Sequence, residues 1–172
     1  IVLVCSDFAI HPLTLGPDRR IHDPAVYRLI NSEYIPGDWY TDMAVKSGVY
    51  VFYSKLVHVG PTIGIPEESW RLCLYLASLV ILYYSLLRIA QFFSKNILVV
   101  PMVAALHALM VTIAPPIWLY GPFMQIDGGL APRSIGIALS FLALFFLLRN
   151  SIIISSIVLG LSTLIHVSNS LI

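Results

Sequence analysis

Four stretches of this chain contain no aspartate, glutamate, lysine or arginine: 72–87, 96–126, 134–148 and 150–172. Runs of this kind constrain a fold strongly, because a helix of about 20 apolar residues crosses the ~30 Å hydrocarbon core of a bilayer. In that medium only helices and closed barrels satisfy their own backbone groups. The first and third runs are short for a span, but Arg71, Arg88, Arg133 and Arg149 flank them and can snorkel to the headgroups. Composition agrees: 58% hydrophobic against 11% charged residues, with mean hydropathy +0.87, is more apolar surface than 172 residues can hide in one core. The expected fold class is all-α, a polytopic transmembrane helix bundle with a large external loop after the first span.

The expected organisation is the end of a truncated span at 1–10, an external loop with an interfacial helix at 11–69, and transmembrane helices at about 70–93, 97–120, 132–149 and 151–172. The start at Ile1 without an initiator Met and the stop inside an apolar run suggest a piece of a longer polypeptide. Arg88 and Lys95 follow the first full span, and Arg149 sits at the turn between the last two. Positive residues near span ends stay cytoplasmic, so these loops belong inside and the 11–69 segment outside. Asp7 at its edge and the segment itself account for eight of the nine acidic residues, which marks that side as the functional face. Proline and glycine pairs, Asp23-Pro24 and Gly60-Pro61 among them, punctuate the segment into short pieces. Within it 42–59 is expected as an amphipathic helix at the interface, with Tyr50, Phe52 and Tyr53 as an aromatic belt and Lys46 and Lys55 reaching out, or else as the outer part of a tilted span.

Several function classes fall away. A net charge of +1 with scattered lysines and arginines argues against nucleic acid. No Walker loop, GxGxxG, HExxH or GxSxG string occurs. Cys5 and Cys73, far apart in apolar surroundings, read as inert buried thiols.

Chemistry concentrates in Ile21-His22-Asp23-Pro24-Ala25-Val26-Tyr27-Arg28 and in Pro36-Gly37-Asp38-Trp39-Tyr40-Thr41-Asp42. A carboxylate beside an apolar surface is expected to gain proton affinity by desolvation, which suits Asp23, Asp38 or Asp42 to take a proton from an attacking hydroxyl. Trp39, Tyr27 and Tyr40 offer stacking faces, and Arg19, Arg20 and Arg28 could meet a phosphate. The same residues are ordinary turn formers and interfacial aromatics, so the group carries more weight than any member. His166, beside Ser168, Asn169 and Ser170, is expected at the external end of its span. His107 lies mid-span and reads as an interhelical hydrogen-bonding group, while Pro101 and Pro115-Pro116 would kink that span. Arg133, after Ala131-Pro132 at a helix start, could hold an anion or simply snorkel.

The order of features resembles the GT-C superfamily of polytopic glycosyltransferases, which take sugars from polyprenyl-phosphate carriers outside a membrane. The resemblance is carried by an acidic external loop (Asp23 with Tyr27, then Asp38), the aromatic-rich run at 49–60, and the segment 121–170. In that last segment Ala131-Pro132-Arg133-Ser134 opens a span, Leu147-Leu148-Arg149-Asn150 ends it, and Gly160-Leu161 with Leu164-Ile165-His166 follows. Where such proteins have His-Pro, this chain has His166-Val167. The resemblance implies inverting transfer of a sugar from a lipid-linked donor, with Asp23 and then Asp38 as general base and Arg133 or Arg28 on the phosphate. Trp39, Tyr40, Asp42 and His166 would bind substrate. No cofactor is required by it, although some members use a divalent cation. The partners it implies are the lipid bilayer and the sugar donor. Rival readings are a transporter or channel subunit, for which His107 and His166 would line a path, and a non-catalytic polytopic protein. Acids gathered outside rather than at midplane favour the transferase.

Overall fold

The structure, a computed structural model, describes residues 17–47, 50–94, 98, 102 and 132–166, the first six by backbone alone. Among the described residues there are six helices, α1 (Pro17–Ile30), α2 (Trp39–Lys46), α3 (Val51–Thr62), α4 (Glu67–Phe93), α5 (Pro132–Leu148) and α6 (Ile152–Ile165), and no strand. The expectations for 1–10, 97–120, Cys5, His107, the prolines at 101, 115 and 116, and the side chains of Arg19, Arg20 and His22 lie outside the described residues. So do those for Ser168, Asn169 and Ser170.

Local chemistry sets the helix ends. Pro17 begins α1, where its missing N–H costs nothing. The Asp38 side chain accepts from the Thr41 amide and caps α2. At the end of α3, Gly64 takes φ +84°, its N–H donates to the Pro61 carbonyl and that of Ile65 to Gly60, after which Pro66 turns the chain into α4. Glu67 and Glu68 then occupy the first turn of α4, where the exposed amides favour negative charge. Asn150 (φ +59°) closes α5 in the same way: its N–H reaches the Leu147 carbonyl and that of Ser151 reaches Phe146, so α6 can fold back at once.

Two parts result. Helices α1, α2 and α3 pack as a small head, and α5 lies between α4 and α6 in an apolar bundle. The parts join where Val26 of α1, Tyr53 and Val57 of α3 and Ile135 of α5 form one buried cluster, flanked by Leu74, Tyr75 and Ile165. A close approach fixes the α3–α4 corner: a Cβ on Gly60 would overlap the Trp70 side chain, whose Nε1 donates to the Leu56 carbonyl at 2.9 Å.

Inside the bundle, Leu82, Ile137 and Ala138 form an apolar cluster, and buried serines and Arg71 line the same contacts, while many large apolar side chains face outward. Arg71, Ser78 and Ser85, seven residues apart along α4, are buried, whereas Leu76, Val80, Tyr84, Phe92 and Phe93 are exposed. In α6 the buried residues are Ser155 and Ser162, while Ile152, Ile153, Ile154, Ile157, Leu161 and Leu164 point outward. Ser155 Oγ donates to the Ala143 carbonyl (2.8 Å), Ser162 Oγ to that of Gly136 (2.6 Å), and Ser140 and Ser162 share a further hydrogen bond. Small residues let the α5 and α6 backbones approach closely enough for these bonds. Among the described residues only α4 is long and apolar enough to span a bilayer, and 28% of its most apolar stretch is buried; α5 and α6 are shorter apolar helices.

Several expectations need correction. The 42–59 helix is two helices, because α2 ends at Lys46 with Ser47 (φ −150°, ψ 9°) outside helical geometry, and α3 starts afresh at Val51. Tyr53 belongs to the core rather than to an aromatic belt, whereas Phe52 is exposed. Asp23-Pro24 lies inside α1 and Gly60-Pro61 inside α3 instead of breaking them. Cys73 is exposed, because it lies on the outward side of α4. Arg71 does not snorkel: it is 4% exposed, held inward by carboxylates.

Candidate functional site

Arg71 is the centre of the junction between head and bundle. Its Nε donates to Glu67 Oε1, one turn earlier on α4, at 2.7 Å. Its Nη1 donates to the Tyr53 hydroxyl of α3 at 3.3 Å, and Nη2 lies 2.8 Å from Asp23 Oδ1 of α1. That last approach is a charge contact with the N–H off the hydrogen-bond direction. A guanidinium has five donors in a fixed fork, so one side chain can tie three helices together where a lysine could not. Asp23, expected as the first choice of base, therefore lies buried against a cation, with its carboxylate engaged. Its present role is to neutralise Arg71 and hold α1 on α4.

A second group forms on the open side of the head. Arg28, in the last turn of α1, donates from Nη1 to the Tyr34 carbonyl (2.7 Å) and from Nη2 to Asp42 Oδ1 (2.8 Å), which staples the α1–α2 turn to α2. Ile35 (φ +46°) and Gly37 (φ +79°) make the turn tight, and the Asn31 side chain accepts from the Glu33 amide within it. The rings of Tyr27 and Tyr34 pack at 5.3 Å. Asp38 follows, with Oδ2 accepting from both the hydroxyl and the amide of Thr41. Those bonds, the hydroxyl first, hold the Asp38 carboxyl below the usual range, the reverse of the rise expected from desolvation. Trp39 is 75% exposed and Tyr40 48%, beside Asp38 and the Arg28–Asp42 pair.

Arg133 and His166 lie where α5 begins and α6 ends. Arg133, the second residue of α5, is half-buried. His166 ends α6 with its N–H donating to the Ser162 carbonyl, and its ring lies 5.7 Å from that of Tyr50 on the head. This contact sets His166 against the head.

The structure thus gathers Arg28, Asp38, Trp39, Tyr40 and Asp42 on one surface and sets Asp23 apart in the buried junction. Sequence reasoning missed Arg71, Glu67 and Tyr53. The signals were the Glu67-x-x-x-Arg71 spacing, which puts opposite charges on one helix face, and the seven-residue repeat of Arg71, Ser78 and Ser85. Among the described residues no three His, Cys, Asp or Glu side chains meet as they would around a metal ion. Comparison with protein families, with curated proteins and with solved structures gives no match, so the function has to be argued from these two groups alone.

Proposed function

We propose that this chain is part of a multi-spanning membrane protein whose head lies on the non-cytoplasmic side and transfers a sugar from a lipid-phosphate carrier to an acceptor. The apolar exterior of α4, α5 and α6 supports the membrane part. Val80, Phe93, Leu147, Ile153 and Ile157 are exposed, an outer surface that is costly in water and suits lipid, while the inward serines hydrogen-bond between helices. Charge spacing supports the orientation: 17 residues separate Arg71 from Arg88 and 16 separate Arg133 from Arg149, each about 25 Å of helix, close to a bilayer core. Arg88 and Arg149 gather at the end away from the head, as the positive-inside rule asks.

The single observation that carries the transfer part is the exposed group around Asp38. Trp39 and Tyr40 present faces on which a sugar ring would stack. Asp38, ionised at neutral pH, can accept a proton. An acceptor hydroxyl that takes the place of the Thr41 hydroxyl on the carboxylate would pass its proton to Asp38 as its oxygen attacks the sugar and the lipid phosphate leaves. Asp38 therefore takes the role of base, Asp23 that of a positioning group through Arg71, and Arg28 and Asp42 those of polar contacts to substrate. Arg133 would face the departing phosphate and His166 the acceptor side.

The test is transfer of labelled sugar from polyprenyl-phosphate donors in membranes containing the protein, with wild type set against Asp38→Asn and Asp23→Asn, each with and without a chelator. Loss of transfer in Asp38→Asn at normal expression supports the reading, and chelator sensitivity would add a divalent cation. No transfer from any donor, or undiminished transfer in both variants, overturns it. Release of the protein from membranes by alkaline extraction would overturn the membrane part.

A further inference from the structure

At the end of the bundle away from the head, two cations meet on one aromatic ring. Cζ of Arg88, from α4, lies 5.8 Å from the centroid of the Phe145 ring and that of Arg149, after α5, lies 5.7 Å from it. Arg88 also lies 5.9 Å from the Tyr84 ring, which itself packs edge-on against Phe145. Phe145 is buried, so the helix contact fixes the meeting place. The ring face attracts each guanidinium but leaves their mutual repulsion in place. Among the described residues neither arginine meets a carboxylate: the side-chain hydrogen bond of Arg88 goes to Gln91 Oε1, and the described ion pairs all belong to the head and its junction. The exposed apolar side chains of Leu147, Ile152 and Ile153 adjoin the α5–α6 turn that carries Arg149.

We propose that Arg88 and Arg149 together bind the phosphate of an anionic phospholipid headgroup in the leaflet at that end of the bundle. Planar guanidiniums take phosphate oxygens bidentately. Basic residues at the cytoplasmic ends of helices are suited to such headgroups. Apolar side chains beside the cations select a lipid, whose acyl chains they would contact, over free phosphate. The inference rests on the membrane-spanning reading above.

The experiment reconstitutes the whole chain in vesicles of equimolar phosphatidylcholine and phosphatidylglycerol, re-extracts it in mild detergent and measures the ratio of the two lipids retained. Wild type is expected to retain phosphatidylglycerol in excess. Arg88→Gln and Arg149→Gln should each reduce that excess about fivefold, and the Arg88→Lys/Arg149→Lys double variant, which keeps the charge without the planar fork, should fall between wild type and the double Gln variant. Equal retention in wild type and in the double Gln variant, with the Lys variant folded normally, overturns the proposal. Loss of the bound phospholipid to millimolar inorganic phosphate overturns it in favour of a free-phosphate site. A chain that fails to enter phosphatidylcholine vesicles at all refutes the membrane reading itself, and the lipid site with it.

Discussion

Replacing Arg71 by methionine keeps the volume of the side chain and removes the cation that three helices share. Asp23, 4% exposed, would then stay buried without the cation beside it, and the Tyr53 hydroxyl would lose the Arg71 donor. A carboxylate in that position escapes by taking a proton, and holding a carboxylic acid protonated at pH 7 costs about 4 kcal/mol. Loss of the Tyr53 hydrogen bond adds about 1 kcal/mol, while Glu67, at 17% side-chain exposure, can turn toward solvent. The cost at pH 7 therefore comes to about 4–5 kcal/mol, in the range for breaking a buried ion pair by removing one partner. The protonation part shrinks by about 1.4 kcal/mol per pH unit on acidification, because the folded variant binds a proton that the unfolded chain releases. At pH 5 it should be about 1.2 kcal/mol. Adding Asp23→Asn removes the stranded charge, so the double variant should regain most of the loss at pH 7 and lose the pH dependence. Reversible unfolding by SDS titration in mixed micelles, at pH 7 and pH 5, measures all of this. A variant within about 0.5 kcal/mol of wild type, or a penalty equal at both pH values, would show that Arg71 points to headgroups or water and that the buried junction is wrong.

Three further outcomes follow from the geometry. The Asp38 carboxyl is held below its ordinary value of 3.8 by Thr41, so its contribution to α2 is present above that pH and is lost as pH falls through the lower folded value. Amide exchange at Thr41 should quicken over that acid window in wild type, stay level in Asp38→Asn, and be fast at every pH in Asp38→Ala. Gly60→Ala would drive a Cβ into Trp70, breaking its bond to the Leu56 carbonyl at a cost of about 1–3 kcal/mol; a shift in tryptophan emission together with a lower unfolding midpoint checks it. Ser162→Ala removes the hydroxyl that reaches Gly136 and Ser140 and should cost about 1 kcal/mol, whereas Ser156→Ala, on the exposed face of the same helix, should change the SDS midpoint little.

The helical class was legible because uncharged runs and flanking arginines report directly on what a helix can bury, and α4, α5 and α6 each fall within such a run apart from their ends. The head was less legible, since its boundaries depend on partners distant in sequence. Pro24 and Pro61 read as breaks because proline removes a donor, yet a helix tolerates the loss when tertiary packing holds it, as Val26 and Val57 do here in one buried cluster. Arg71 shows the same limit in electrostatic form. Read along the chain it is one more arginine before an apolar run, and snorkelling satisfies it. Only the fold brings Asp23 and Tyr53 to it from two other helices, and that meeting also changes Asp23 from a candidate base into the partner of a buried cation. The consequence for function is a division of labour between the acids. The one that sequence placed first is occupied, while Asp38, held by a single threonine beside exposed Trp39 and Tyr40, keeps a carboxylate that a substrate can reach. If the head carries out chemistry, Asp38→Asn, which keeps the cap on α2, should abolish turnover while leaving the SDS midpoint nearly unchanged, and mutation of Asp23 should lower the midpoint first and activity only as a result.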